Sequence, residues 1–457
     1  MNELLSSCYK RLNRIREYAD VPLIVLIVAA VFVWLTLIGF GAHPVRMNPD
    51  TDTYRFFDFS STHAILSSIR TFGYPALLRA IWVNTGSVDV LPAIQLACIL
   101  LSVILYFFAI RKYTASSWIG LFAALPVFNT RFIAEYFDLM SSDALGCALM
   151  ICTVSIAVFS VVDRRRGILF ALGLSLFLTY QVRPAYLFLV ILIPCIYFVL
   201  FAIKNSIVNI GKNLFGISAV CILPLIAFCL IRLFIVGQFS LVSFGGYNIT
   251  GVTASLIYPK VIESLEGENR AIARDIYLRR LGRGYKSVQE MVRDNDPQIF
   301  FSWQQEYKYN IYTIAVPVVK RHAEMNQEIG SAPYVNEKLT GLARKIISLE
   351  PGYYFKWISF QIISGTKRVF LDTRQNFWLG CLLVIIFAIR VFRKGVRGAV
   401  RIQAAAHAPA IIAGGCLFSG LLLVALVEPA LYRYAQPLSI LIPGALLAYA
   451  FTGLTRQ

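Results

Sequence analysis

The sequence predicts an all-α, polytopic membrane bundle of about ten spans, on three observations. Of its 457 residues 58% are hydrophobic and only 15% charged, with a mean hydropathy of +0.66, which is too apolar for a water-soluble globule of this length. Apolar runs near the roughly 20 residues needed to cross a bilayer recur along the chain. Lys and Arg gather at alternate ends of those runs, as cytoplasmic flanks do.

The expected spans lie near 22–41, 90–110, 115–130, 144–162, 167–181, 186–203, 214–235, 376–392, 405–427 and 437–452. The third and fifth are short or polar at one end. The first lacks a small-residue cleavage site after it and is read as a retained span, not a signal peptide. Ten spans place five basic clusters on the cytoplasmic side: Lys10/Arg11/Arg14/Arg16, Arg111/Lys112, Arg164/Arg165/Arg166, Lys204/Lys212 and Arg390/Arg393/Lys394/Arg397/Arg401. The net charge of +18 is therefore mostly topology, dispersed at span ends, and nucleic acid is not an expected partner. Outside the longest loop, Asp50, Asp52, Asp58, Asp89, Glu135, Asp138, Asp143 and Glu428 map to the opposite side. Only Glu3, Glu17, Asp20 and Asp163 map to the cytoplasm. Function is expected to face outward.

Between the spans the chain divides into an N-terminal membrane module (1–235), an outer insertion (236–375) and a C-terminal membrane module (376–457). The first outer loop, 42–89, carries Phe56, Phe57, Phe59, Ala64, Ile65, Leu66 and Ile69, which predict amphipathic helices lying on the membrane surface. In the insertion, Leu339, Leu342, Ile346 and Ile347, then Tyr353, Phe355, Ile358 and Ile362, recur at helical spacing and predict a mostly helical fold. Eight of the nine cysteines fall in spans and Cys8 in the cytoplasm, so no outer segment carries a disulfide framework. No phosphate-binding glycine loop or Cys/His metal spacing is present, which disfavours a cytoplasmic nucleotide-driven enzyme. The Asn248-Ile-Thr250 sequon is read as a chance match.

Chemistry is expected first at Asn48-Pro-Asp-Thr-Asp-Thr-Tyr54, because carboxylates where the chain leaves a bilayer are costly unless solvated, paired or used. A solvated loop is the plainer alternative. Four segments in order then resemble the GT-C superfamily of integral membrane glycosyltransferases, which includes protein O-mannosyltransferases and lipid A aminoarabinose transferases. Asp50-Thr-Asp-Thr-Tyr54 is similar to the Asp-x-x-x-Tyr element after the first span. Arg70-Thr-Phe-Gly-Tyr-Pro-Ala-Leu-Leu78 resembles an Arg-x-Pro-Gly-Tyr-Pro-Leu segment of the bacterial branch. Ser141-Ser-Asp-Ala-Leu145 resembles an acidic turn opening the fourth span, and Tyr432-Arg-Tyr-Ala-Gln-Pro437 an Arg-Tyr-x-x-Pro turn before the last. Two departures stand out: Thr51 separates acids that many relatives carry side by side, and Phe72 replaces the first proline. The resemblance covers 1–235 and 376–457 and names no substrate class.

The resemblance implies a GT-C-type bundle that takes a sugar from a polyprenyl-phosphate donor, inverting at the anomeric carbon, and passes it to a lipid, glycan or protein hydroxyl. It places the enzyme in a bacterial inner membrane with the site facing the periplasm. Such chemistry needs a base for the hydroxyl proton and cations for the leaving phosphate. Asp50 is the expected base. Asp52 is expected to orient the acceptor, share a metal or take the proton itself. Arg433, Arg183, Arg232 and Arg55 are the expected phosphate ligands, since a planar guanidinium binds two oxygens and stays charged. Arg232 lies inside Leu230-Ile-Arg-Leu-Phe234 and should pair with an acid of the site or with the donor. Arg70 and Arg131 read as headgroup anchors. Asp143, Glu135 and Tyr54 complete the site, the acids steering the acceptor or holding a divalent cation. Asp143 reads equally as the N-cap of its span. His63 and His322 read as surface residues, and Tyr353–Phe360 as interface anchors or a sugar-stacking face. Two other functions remain open: a flippase for lipid-linked sugar, which would carry acids at mid-membrane, and an O-antigen ligase or polymerase relying on Arg and His of the large loop.

Overall fold

In the computed structural model, which describes residues 20–39, 41, 43–204, 210–294, 298–370, 378, 381 and 407–454, every regular element is helical. The first module contains α1 (Val21–Leu37), α2 (Thr51–Arg55), α3 (Thr62–Ser67), α4 (Gly73–Thr85), α5 (Leu91–Thr114), α6 (Ser117–Ala124), α7 (Arg131–Tyr136), α8 (Ser142–Val162), α9 (Arg166–Val182), α10 (Leu189–Lys204) and α11 (Ile210–Val236). The insertion contains α12 (Gly245–Thr253), α13 (Pro259–Glu263), α14 (Gly267–Leu281), α15 (Val288–Arg293), α16 (Ile299–Tyr309), a π-helical stretch Asn310–Ala315, α17 (Val316–Met325), α18 (Ala332–Leu349) and α19 (Pro351–Phe370). The chain closes with α20 (Ala408–Val427), α21 (Tyr432–Ser439) and α22 (Ile442–Leu454).

Among the described residues six segments are long and apolar enough to cross a membrane: Leu91–Thr114, Ser142–Val162, Pro184–Lys204, Ile210–Val236, Ala408–Val427 and Tyr432–Thr452. The protein is a multi-pass helical membrane protein. Shorter apolar helices at Val21–Leu37, Ser117–Asn129 and Arg166–Val182 fall where three further spans are expected. The expected span at 376–392 and the basic cluster at 390–401 lie outside the described residues. Along α11 the side chains point outward, Phe215 77% and Phe234 84% exposed, as suits a helix whose neighbour is lipid.

Helix ends follow local chemistry. Prolines sit in the first turns of α1 and α5, where a missing N–H costs nothing. Ser116 and Ser141 cap α6 and α8. Asp143 is therefore not the cap of its span but the second residue of its first turn. At one end of the bundle Asp20 pairs with Arg111, and Asp163 with Lys112 and Arg165. The membrane core runs through α5, α8 and α9, and α22 closes against α6, where Gly444 lies so near the Ala123 carbonyl that a Cβ would overlap it.

The insertion has its own apolar core around Trp303 and Trp357, whose ring centroids are 4.9 Å apart. Leu339, Leu342 and Ile346 are fully buried there, and Ile358 nearly so, whereas Phe355 faces out. Of the expected Tyr353–Phe360 face, Trp357 is buried and donates to the Ala425 carbonyl at 3.0 Å, so it pins insertion to bundle and is not an open stacking surface. Gln361 accepts from the Ala430 N–H at 2.8 Å and Arg368 donates to the Ala430 carbonyl at 2.6 Å. These contacts fix the insertion on the segment between α20 and α21.

The first outer loop departs from a simple surface-lying face. Phe56 is exposed, but Leu66 is buried where α3 packs on α11, and Ile69 packs on the insertion's core. Gly73 lets α4 rest directly on the end of α9: a Cβ there would meet the Gln181 carbonyl carbon and oxygen at 2.7 Å. Gly73→Ala is expected to cost about 1–3 kcal/mol through overpacking, read as a lower unfolding midpoint in detergent.

Candidate active site at the outer end of the bundle

The site is built from four segments remote in sequence. Arg46 fixes the first: its side chain forks onto Asp138 at 2.7 and 2.6 Å, and its backbone pairs with the turn at Asp138–Met140. Asn48 then accepts from the Asp50 N–H at 2.8 Å, a local turn that starts α2 with Asp50 as its N-cap residue. Thr51 donates to the Met140 carbonyl, and Tyr54 meets the Ser142 hydroxyl at 3.1 Å. The first loop is thereby laid beside the start of α8.

Five side chains form a continuous ion network there. One Asp50 oxygen takes Arg70 at 2.8 Å and the other takes Arg433 at 2.7 Å. Arg433 also reaches Asp143 at 2.8 Å, and Arg183 binds the second Asp143 oxygen at 2.8 Å. Asp143 is wholly buried and Arg183 nearly so. Asp143 sits in the first turn of α8 and Arg183 just past the end of α9, each on the favourable side of its helix dipole. Arg433, in the first turn of α21, is on the unfavourable side and depends on the two carboxylates. Pro184 holds Arg183 in an extended conformation that turns its side chain off the helix.

Three guanidiniums meet two carboxylates in these direct ion pairs, an excess of one cation that the nearby Glu428 carboxylate, not itself bonded to them, offsets. Aromatic faces stand around the guanidiniums: Arg70 lies over Tyr54 at 5.1 Å and Phe244 at 5.6 Å, and Arg183 over Tyr434 at 5.8 Å. A narrow crevice lined by Arg183, Tyr186, Val424, Tyr434, Pro437 and Leu438 runs from the network between α20 and α21. An anion with an apolar tail matches this combination in charge and polarity.

Of the expected residues, Asp50, Asp143, Arg183, Arg433 and Tyr54 come together. The others do not. Asp52 is exposed on the far side of α2, since two residues along a helix is a rotation of about 200°. Arg55 is exposed and lies over Phe56. Glu135 binds Arg131, with which it forms an ion pair, and Gln436 at 2.9 Å. Arg232 is buried without an acid: its guanidinium donates to the Leu66 carbonyl at 2.9 Å, to Ser240 and to the Ser243 hydroxyl at 2.7 Å. It staples α11 to the first loop and the segment after it, so its donors are not turned to a donor phosphate. Among the described residues no group of three His, Cys, Asp or Glu side chains is arranged to hold a metal ion, and the oxygens of Asp50 and Asp143 are on guanidiniums. His63 is exposed, and His322 pairs with Asp275 at 2.9 Å in the insertion.

Arg70 corrects the reading as a headgroup anchor: it points inward onto Asp50. The signal was its place in the Arg-x-x-Gly-Tyr-Pro segment, whose glycine seats the loop on α9. Glu428 had been noted only as an outer acid. It stands at the end of α20, five residues before Arg433, and accepts from the Asn248 amide at 2.7 Å, which also occupies the sequon asparagine.

Burial pushes the Asp50 carboxyl up, and the Arg70 and Arg433 guanidiniums more than offset it, holding the group below the usual carboxylate range. Its folded value lies below the unfolded one, so its stabilisation is present above the ordinary aspartate range and is lost as pH falls through the lowered value. The stability deficit of Asp50→Asn is therefore expected to be full at neutral pH and to shrink only in acid below pH ~4, measured by unfolding midpoints across pH. Asp143→Asn leaves Arg183 buried with its charge uncompensated and is expected to cost about 3–5 kcal/mol. The sequence matches no protein-family model, and neither a curated protein nor a solved structure matches the chain.

Proposed function

We propose that this protein is an integral membrane glycosyltransferase of GT-C type, with about ten spans. It moves a sugar from a polyprenyl-phosphate donor to a lipid, glycan or protein hydroxyl on the outer face of a bacterial inner membrane. One observation carries the reading: residues of all four motif-like segments meet in a single network at one end of the bundle, with more guanidiniums than carboxylates bonded to them. A polyprenyl-phosphate sugar is a phosphodiester of one negative charge on an apolar tail. Arg433, Arg70 and Arg183 supply the fork geometry for its oxygens. As the bond to the anomeric carbon breaks, charge grows on the leaving phosphate, and fixed guanidiniums stabilise that charge more than they do the ground state.

The network lies at helix ends and not at mid-membrane, which favours a transferase over a flippase. The deciding experiment follows radiolabelled polyprenyl-phosphate sugars in sealed vesicles whose outer face is accessible. Wild type is expected to transfer the label. Arg433→Gln and Asp50→Asn are expected to lose about a hundredfold or more in rate, while Asp52→Asn changes it by no more than about twofold. Intact lipid-linked sugar crossing the membrane, indifferent to these substitutions, would identify a flippase. Loss in His322→Ala with Asp50→Asn fully active would identify the ligase type.

A further inference from the structure

Asp50 is badly placed to accept a proton. Both of its oxygens lie on guanidiniums, at 2.8 and 2.7 Å, and a carboxylate stabilised in its charged form is a weak base. A third carboxylate faces the same network and has no guanidinium within bonding distance among its hydrogen-bond partners. Glu428 follows α20 directly, extended at φ −142° and ψ 159°, and Pro429 prevents the helix from continuing. Its side chain is half-buried at the seam between insertion and bundle. Asn248 of α12 donates to it at 2.7 Å, and the Tyr434 hydroxyl, one residue beyond Arg433, hydrogen-bonds to it.

The charged and titratable groups that face Glu428 come from every neighbouring element: Tyr307 of α16, Tyr312 of the π-helical stretch, Tyr434 and Arg433 of α21, Arg183 after α9, and Arg70 of the first loop. Tyr312 interacts electrostatically with Glu428, Asp50 and Arg70 alike. The Tyr307 hydroxyl is buried beside them with no hydrogen-bond partner. Phenols, an amide and a carboxylate thus lie beside the guanidiniums, a set that suits a hydroxyl-rich ligand.

We propose that Glu428, and not Asp50, accepts the proton of the acceptor hydroxyl, with Asp50 positioning Arg70 and Arg433. This rests on the transferase reading above. In the step, the acceptor oxygen bonds to the anomeric carbon as its proton passes to the Glu428 carboxylate. The bond from that carbon to the phosphate oxygen breaks, and its electron pair leaves on polyprenyl phosphate, held by the arginines. Two neutral hydrogen bonds leave Glu428 with acceptor capacity. Burial raises its proton affinity above that of an ordinary glutamate against the opposing pull of Tyr434 and the three arginines, which brings it nearer the range a general base needs.

The test is the pH dependence of kcat and donor KM for sugar transfer by the full chain in detergent. Wild-type kcat is expected to rise with pH through a midpoint above ~4.3, the ordinary glutamate value. Glu428→Gln, which keeps a hydrogen-bonding side chain of the same shape, is expected to lower kcat about a hundredfold or more and to abolish that limb, with donor KM changed by at most about twofold. Glu428→Asp is expected to retain a limb at reduced kcat, and it serves if the Gln variant does not fold. Asp50→Asn is expected to raise donor KM and keep the limb. A Glu428→Gln enzyme within tenfold of wild type and with its limb intact, or a limb lost in Asp50→Asn, overturns the assignment while leaving the transferase standing. No transfer by wild type from any donor overturns the transferase reading itself.

Discussion

The structure at the network end of the bundle depends on Arg433, whose guanidinium joins Asp50 of the first loop to Asp143 of α8. A cation in the first turn of a helix is opposed by the dipole, and a buried carboxylate is opposed by desolvation. Each is tolerable only because the other is present. That mutual need holds the acidic turn of the loop in one place, beside the apolar cluster of Tyr54, Tyr74, Leu78 and Ile81. Arg46 on Asp138 and Gly73 on the α9 backbone bring the loop near, but neither fixes where its carboxylate points.

The insertion completes the arrangement from above. Its core is distinct from the membrane core, and the hydrogen bonds that tie it to the bundle include several on Ala425–Ala430, the end of α20 and the start of the link to α21. This link carries Glu428 and leads directly into Arg433. Docking of the insertion thus sets the position of the residues opposite Asp50, and Phe244 and Tyr312 wall the side that the bundle leaves open. The insertion is not a passive decoration of a membrane site.

Much of this was legible in the sequence. Hydropathy and charge marked the spans, and short acidic and basic segments at their outward ends marked Asp50, Asp143, Arg183 and Arg433. What was not legible turned on direction. Asp52 belongs to the same polar run as Asp50, but α2 rotates it away, and a helix of five residues leaves too short a pattern to predict. Arg70 and Arg232 exchanged expected roles: the loop arginine turned inward to an acid, and the intramembrane one found carbonyl and hydroxyl oxygens from Leu66, Ser240 and Ser243. Those partners are invisible to any local rule, because a buried cation is satisfied by whatever oxygens the tertiary fold delivers. Glu428 reads from sequence only as one of the outward acids for the same reason, since its partner Asn248 is 180 positions distant.

The excess of guanidiniums over the carboxylates bonded to them explains why the five-residue network is better suited to binding than to bracing. A purely structural cluster in a low-dielectric setting is expected to balance its charges, since an unpaired buried cation costs several kcal/mol or more. Here the two carboxylates are fully engaged, and the excess falls on guanidiniums that remain partly open, Arg433 at 28% and Arg70 at 20% of side-chain exposure. Water at the bundle end can solvate that excess only in part. With Glu428 standing apart as the third negative charge, a monoanion entering from the membrane surface would meet guanidiniums already held in place, which would offset part of its desolvation. On the proposed function the carboxylates would supply the preorganisation and the partly open guanidiniums the affinity. Removing Asp50 or Asp143 would raise the positive charge yet spoil the geometry, so the anion's affinity depends on the acids as well as on the arginines.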